Sequence, residues 1–178
     1  IVVSVIFYLM TCFNGGFING FLSLFDLGPV AFQMDVFWAY VSIIAPTIWV
    51  GGGYTTLVFY SGLINIPKDH LEAASVDGAS YLRQTFSIIL PSLKNYIVLV
   101  IVTLVTGNLQ MFEIPMMMTN GQPLNMTMTP VLYLVHARSN GNVSQSEIIA
   151  SAILIMLVVG AINAVVFSVS NFKKKEAK

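Results

Sequence analysis

The sequence predicts an all-α integral membrane protein, and three observations carry that prediction. Of its 178 residues 56% are hydrophobic and only 9% charged, with a mean hydropathy of +0.81. A soluble domain carries roughly 25% charged residues. The apolar residues also collect in three stretches, each long enough for the ~20-residue helix that a bilayer requires. Finally, the cations gather in one inter-stretch loop and in the C-terminal tail, the asymmetry expected of a multi-span chain.

Residues 1–11 are apolar but too short to span. No basic segment precedes them and no clear cleavage site follows, so a signal peptide is a poor fit. They read as the end of a partial first helix in an N-terminally truncated chain. Residues 12–35 form a Gly/Asn-rich loop with Asp26 and Asp35 and no cation. The first complete span, about Val36 to Ile64, has no charge and contains Pro46 and Gly51-Gly52-Gly53. Proline and glycine are tolerated there because neighbouring helices re-satisfy the backbone and small residues permit close approach. Loop 65–87 follows. The second span, about Ile88 to Phe112, has Lys94 near its start, where the side chain can snorkel. Residues 113–147 form a polar loop with Gly121, Pro123 and Pro130. The third span, about Ile148 to Ser170, is uncharged and ends in a lysine-rich tail. Trp38, Tyr40, Tyr96 and Phe172 lie near span ends, where aromatic belts form.

Alternating spans put loop 65–87 and the tail on one side, together with Lys94. That side holds seven of the eight Lys and Arg residues; only Arg138 lies opposite. Positive-inside bias makes it the cytoplasm. The net charge of zero gives nucleic-acid binding no electrostatic support. Cys12 stands alone, and His70 and His136 have no ligand-spaced neighbours, so neither an internal disulfide nor a metal site is expected. Asn125-Met126-Thr127 and Asn142-Val143-Ser144 match the glycosylation pattern, which is common by chance.

Loop 65–87 is the most informative segment. Asn65 can cap a helix, with Pro67 in its first turn. Asp69 and Glu72 fall near the positive end of the dipole. Leu71, Ala74 and Ser75 share a small, weakly apolar face. Asp77-Gly78 ends that helix, because glycine takes the left-handed conformation readily. Ser80 can cap a second helix, which runs through Phe86 into the membrane at Leu90-Pro91. The expected product is a short helix lying along the membrane, a turn and a re-entry. An ordinary amphipathic interfacial helix would have a stronger apolar face and a basic polar face.

The order Glu72-Ala73-Ala74, Gly78, Ile88, Leu90-Pro91 resembles the signature loop of ABC importer permeases of the carbohydrate-uptake type. The flanks agree: Ile48-Trp49, Gly62-Leu63 and Ile66-Pro67 precede it, and Asp77-Gly78-Ala79 and Phe86 fit the same subgroup. Met118-Thr119-Asn120-Gly121-Gln122-Pro123 resembles the Met-Thr-x-Gly-Gly-Pro loop of that subgroup, and Ala150-Ser151-Ala152 the start of its last helix. The likeness covers roughly residues 14–170. Gln122 departs from the second Gly, and Ile148-Ile149 from a Gly-Tyr pair. The resemblance implies an ABC importer permease-type helical bundle whose coupling helix docks on cytoplasmic ATPase subunits through Glu72, Ala73, Ala74, Asp77, Gly78 and Ala79, with Leu90 and Pro91 at the return to the membrane. It implies a second permease subunit, an extracytoplasmic sugar-binding protein and a lipid surround in a bacterial cell membrane. No cofactor is expected. The chain has no Walker-type phosphate loop, so ATP hydrolysis would belong to the partners.

Polar residues within spans need partners in hydrocarbon. Thr103, Thr106, Gly107 and Gln110 fall on one stripe of the second span, with Asn108 on a neighbouring face; Asn163 lies in the third span. Interhelical hydrogen bonding accounts for them, and so does a sugar path read by amides. On the latter reading Asn108, Gln110, Thr103, Gly107, Gly51 and Asn163 line the path. Glu113, at the outer end, reads as a gate or an interfacial charge. Two alternatives stay open: a permease for another polar solute such as glycerol phosphate or a peptide, and a non-transporting scaffold that recruits a cytosolic protein.

Overall fold

In the computed structural model the described residues are 1–141 and 143–175, with side chains described to residue 168 apart from Asn140. Asn142 of the second glycosylation-type triplet, the Phe172 ring and the charged ends of the tail lie outside the described residues.

Helices account for most of the described residues, and no strand occurs among them. In order they are α1 (Val2–Thr11), α2 (Phe17–Ser23), α3 (Val36–Ile64), α4 (Lys68–Val76), α5 (Tyr81–Gln84), a π-helical turn (Thr85–Ile89), α6 (Leu90–Ser92), α7 (Lys94–Leu109), α8 (Glu113–Met118), α9 (Pro130–Asn140) and α10 (Gln145–Lys175). By length and composition α3 and the Gln145–Ser168 part of α10 can each cross a membrane. Tyr81–Ser92 and Lys94–Leu109 make a third crossing only if counted together, and they bend by 66° at Leu93. The second span is thus not a single helix. Its entry holds Pro91, which lacks an N–H, and Leu90 N–H bonds back to Thr85 O, five residues earlier. Such wide turns and proline are recognised causes of kinks.

The chain divides into two compact units. One comprises residues 1–50 and 106–161; the other comprises 51–105 and the chain from Ile162. In the first unit α1 packs on α2 and α8, and α8 on α9. Met118, Leu132, Pro46 and Pro115 are fully buried there. Two polar loops of the sequence reading prove partly helical. Within 12–35, α2 is held by Asn19, which donates to Val30 O at 3.0 Å and accepts from Val30 N at 2.8 Å. Within 113–147, α9 starts at Thr129-Pro130 and stops at Gly141. The Thr129 hydroxyl accepts from Leu132 N and donates to Met111 O at 2.7 Å. Between α8 and α9 the Thr119 and Thr127 hydroxyls meet at 2.7 Å, and Thr127 donates to Gln122 O at 2.8 Å. These bonds satisfy polar groups that burial would otherwise leave costly.

In the second unit, α3 and α7 meet at Gly62, where an added Cβ would lie 2.6 Å from Leu93 Cδ2 and 2.9 Å from the Tyr96 ring. Asn65 Nδ2 donates to Tyr96 Oη at 3.1 Å and to Ser61 O at 2.8 Å. Asn65 therefore locks this joint instead of capping α4. The N-cap of α4 is Pro67, which has no hydrogen-bonding side chain, so the cap expected at Asn65 is not made. Tyr96, expected as a belt residue, has its ring against Gly62 and its hydroxyl on Asn65.

Candidate functional site

The loop between α3 and α7 builds its corner from backbone chemistry. α4 carries Asp69 in its first turn and buries none of its residues. Lys68, Asp69, His70, Glu72, Ala73, Ser75 and Val76 are exposed; Leu71 and Ala74 are half-buried. The exposed face therefore centres on Glu72, Ala73 and Val76, the last 87% exposed. Ala74 turns partly inward. The face expected at Leu71, Ala74 and Ser75 is thus covered at its first two residues and open only at Ser75.

α4 ends in a Schellman motif. Gly78 has φ +76°, its N–H reaches Ser75 O at 3.1 Å, and Ala79 N–H reaches Ala74 O at 2.9 Å. That pattern satisfies carbonyls that a helix end leaves orphaned. Asp77 N–H bonds Ala73 O at 3.0 Å. A Cβ at Gly78 would meet nothing within 4 Å. The glycine is needed for its backbone angle, not for space. Ser80 then caps α5 by accepting from Arg83 N at 3.4 Å. Leu90, 45% exposed, and the exposed Pro91 follow the π turn, where the chain enters α6. Sequence reasoning missed Gln84, whose side-chain amide bonds Ser75 Oγ and Ala79 O, each at 3.0 Å.

Of the residues assigned to a polar path, Thr103, Gly107 and Asn108 lie on α7, Gly51 on α3 and Asn163 on α10, and Gln110 directly follows α7. Gly51 lies against Leu104, 3.5 Å from where its Cβ would be. The Thr103 hydroxyl is turned back on its own helix, donating to Leu99 O at 2.9 Å. Asn108 and Asn163 each have an interaction within the chain. α7 ends at Leu109, and the next residue, Gln110, still bonds its N–H to Thr106 O at 3.2 Å, one turn back along the same stripe. Gln110 lines a cleft of about 380 Å³ with Phe112, Val131, Leu134, Ala152, Ile155 and Met156. Such a cleft offers one amide and one aromatic ring in an apolar wall. Among the described residues no three His, Cys, Asp or Glu side chains cluster as metal ligands would.

Known proteins share both the sequence and the fold. The chain is 35% identical over 119 residues to the sulfoquinovosyl glycerol transport system permease protein SmoG of Agrobacterium fabrum, an overlap of 67% of this chain and 39% of that protein. It is 29% identical to the lactose transport system permease protein LacF of Rhizobium radiobacter, covering 96% of this chain and 58% of LacF. It is 28% identical to the trehalose/maltose transport system permease protein MalF of Thermococcus litoralis, covering 93% and 56%. The chain thus spans about half the length of the curated relatives it matches. A chain in the crystal structure of a bacterial ABC transporter that imports the acidic polysaccharide alginate superposes with a TM-score of 0.84, at 22% identity, over 96% of this chain and 59% of that one. The family model for the binding-protein-dependent transport system inner membrane component matches residues 1–172, and the chain belongs to that family.

Proposed function

We propose that this chain acts within a permease subunit of an ATP-driven carbohydrate importer in a cell membrane. The observation that carries the reading is α4: a short helix with an exposed Glu72-Ala73 face, closed by a Schellman corner, inserted between two membrane-crossing segments. Such a helix has nothing of its own to bury and suits a groove on another protein. The cations of the loop around it, Lys68 and Arg83, with those of the tail, fit the cytoplasmic side. The partner is then the cytoplasmic ATPase, contacted through Glu72, Ala73 and Val76, with Asp77, Gly78 and Ala79 fixing the corner. A second permease subunit completes the path. An extracytoplasmic binding protein delivers the sugar, in line with the alginate transporter crystallised with its oligosaccharide-bound periplasmic protein. Closure of the ATPases on α4 would move α5 and α7 with it and expose the path alternately to each side.

A neutral saccharide suits the Gln110 cleft, which has an amide for hydroxyls and a ring for stacking but no cation. The test is uptake by the complete transporter of labelled lactose, maltose, trehalose, xylose and arabinose. Uptake of at least one, dependent on ATP, is expected. Gln110→Leu should then raise the half-saturating sugar concentration about 3–10-fold, the scale of one lost hydrogen bond. No uptake of any sugar together with uptake of a peptide or glycerol phosphate would overturn the reading.

A further inference from the structure

We infer that Gln84 is a positioning residue for coupling: its side-chain amide locks the corner between α4 and α5 so that a push on α4 is passed to α7. This rests on the reading of α4 as the ATPase contact. The bond directions follow from chemistry. Ala79 O can only accept, so the NH₂ end of Gln84 must face it. The Ser75 hydroxyl already donates to Leu71 O at 2.8 Å, so towards Gln84 it accepts. Both protons of one NH₂ group are thereby used, one on each arm of the corner.

The location gives the contact its consequence. The Schellman bonds close the α4 side, and Gln84 N–H on Ser80 O at 3.0 Å begins α5. Gly78 lies between them with nothing within 4 Å of its Cβ position, so no group packs where its side chain would be. Beyond the turn, the Gln84 side chain returns across to α4. Just after Gln84 comes the π turn, then Pro91 and the 66° bend at Leu93. A corner free to flex before such a bend would dissipate displacement; a corner pinned to α4 transmits it.

The experiment uses the complete transporter in liposomes, stripped of ATPase subunits and titrated with them, with hydrogen exchange followed over residues 76–81. Gln84→Met keeps the length and removes both donors; Gln84→His keeps one ring N–H. Gln84→Met should speed exchange and raise the half-saturating ATPase concentration by about threefold or more, as loss of a hydrogen bond would. Gln84→His should recover most of both. Faster exchange with unchanged ATPase binding would overturn the inference and leave Gln84 a local brace. If Gln84→Met fails to reach the membrane, Ser75→Ala removes one acceptor and decides the matter: weaker ATPase binding supports the role, unchanged binding overturns it. Ala73→Trp separates the two readings. If it weakens docking while Gln84→Met does not, only the role of Gln84 falls; if it leaves docking intact, the coupling-helix reading falls first.

Discussion

At Gly78 one backbone angle decides what the position accepts. Its φ of +76° lies in the region where a Cβ crowds the following carbonyl, and the surrounding space is empty. The cost of a side chain is therefore conformational, on the order of 1–2 kcal/mol, and heaviest for β-branched residues. Asparagine visits this region with less strain. Gly78→Val should loosen the α4 corner and weaken ATPase retention, whereas Gly78→Asn should retain most of it. Amide exchange over residues 74–79 and co-purification of the ATPase measure the contrast. Equal effects of the two variants would mean that local space, not φ, sets the requirement. Gly62 is the opposite case. Its angle is ordinary, but Tyr96 and Leu93 fill the place of a Cβ.

At the scale of elements, α4 is short, polar on average and unburied, so tertiary packing within the chain contributes little to it. A nine-residue helix is marginal alone, and the Schellman bonds at its end supply part of what burial does not. The direction of its faces alters which alanine matters. Ala73 is exposed and Ala74 is half-covered. A tryptophan at 73 should overfill a docking groove, where overpacking typically costs about 1–3 kcal/mol. Ala73→Trp is thus expected to release the ATPase about tenfold or more while leaving the permease in the membrane, as membrane levels and co-purification would record. Ala74→Trp should instead disturb the permease's own fold and lower its level. The reverse order of effects would place the docking face on the other side of α4.

At the scale of the whole molecule, only 6% of the spanning window of α10 is buried within the chain, against 22% for α3. So much exposed apolar surface calls for lipid or further protein to cover it. The topology follows from charge, and single-cysteine labelling tests it. Val76, 87% exposed, is the reporter for the loop between α3 and α7; Met126, 54% exposed, is the reporter for the loop between α8 and α9. Gly121 would serve poorly, since it is buried at φ +86° against Met128. With Cys12 replaced by Ser, an impermeant thiol reagent added outside should label Met126→Cys and spare Val76→Cys. The opposite result would invert the orientation and remove the case for ATPase contact at α4.

Membrane character, the long apolar segments and the Gly78 corner were legible in the order of residues. Each depends on composition or on a local angle that neighbours along the chain impose. The Thr129-Pro130 start and Gly141 stop of α9 were also present as local signals, masked by the polar residues around them. Other features needed the folded chain. Asn65 could cap α4 or reach Tyr96, and only the approach of α3 to α7 at Gly62 selects the second. Gln110 falls on a helical stripe in the sequence, but only the fold brings Val131 and Leu134 of α9 and Ala152, Ile155 and Met156 of α10 to the cleft it lines. Gln84 has no signal in spacing, because its acceptors lie nine and five residues away across a turn. Helical periodicity pairs residues three or four apart, and a contact made by folding back across a corner exists only once the corner is built.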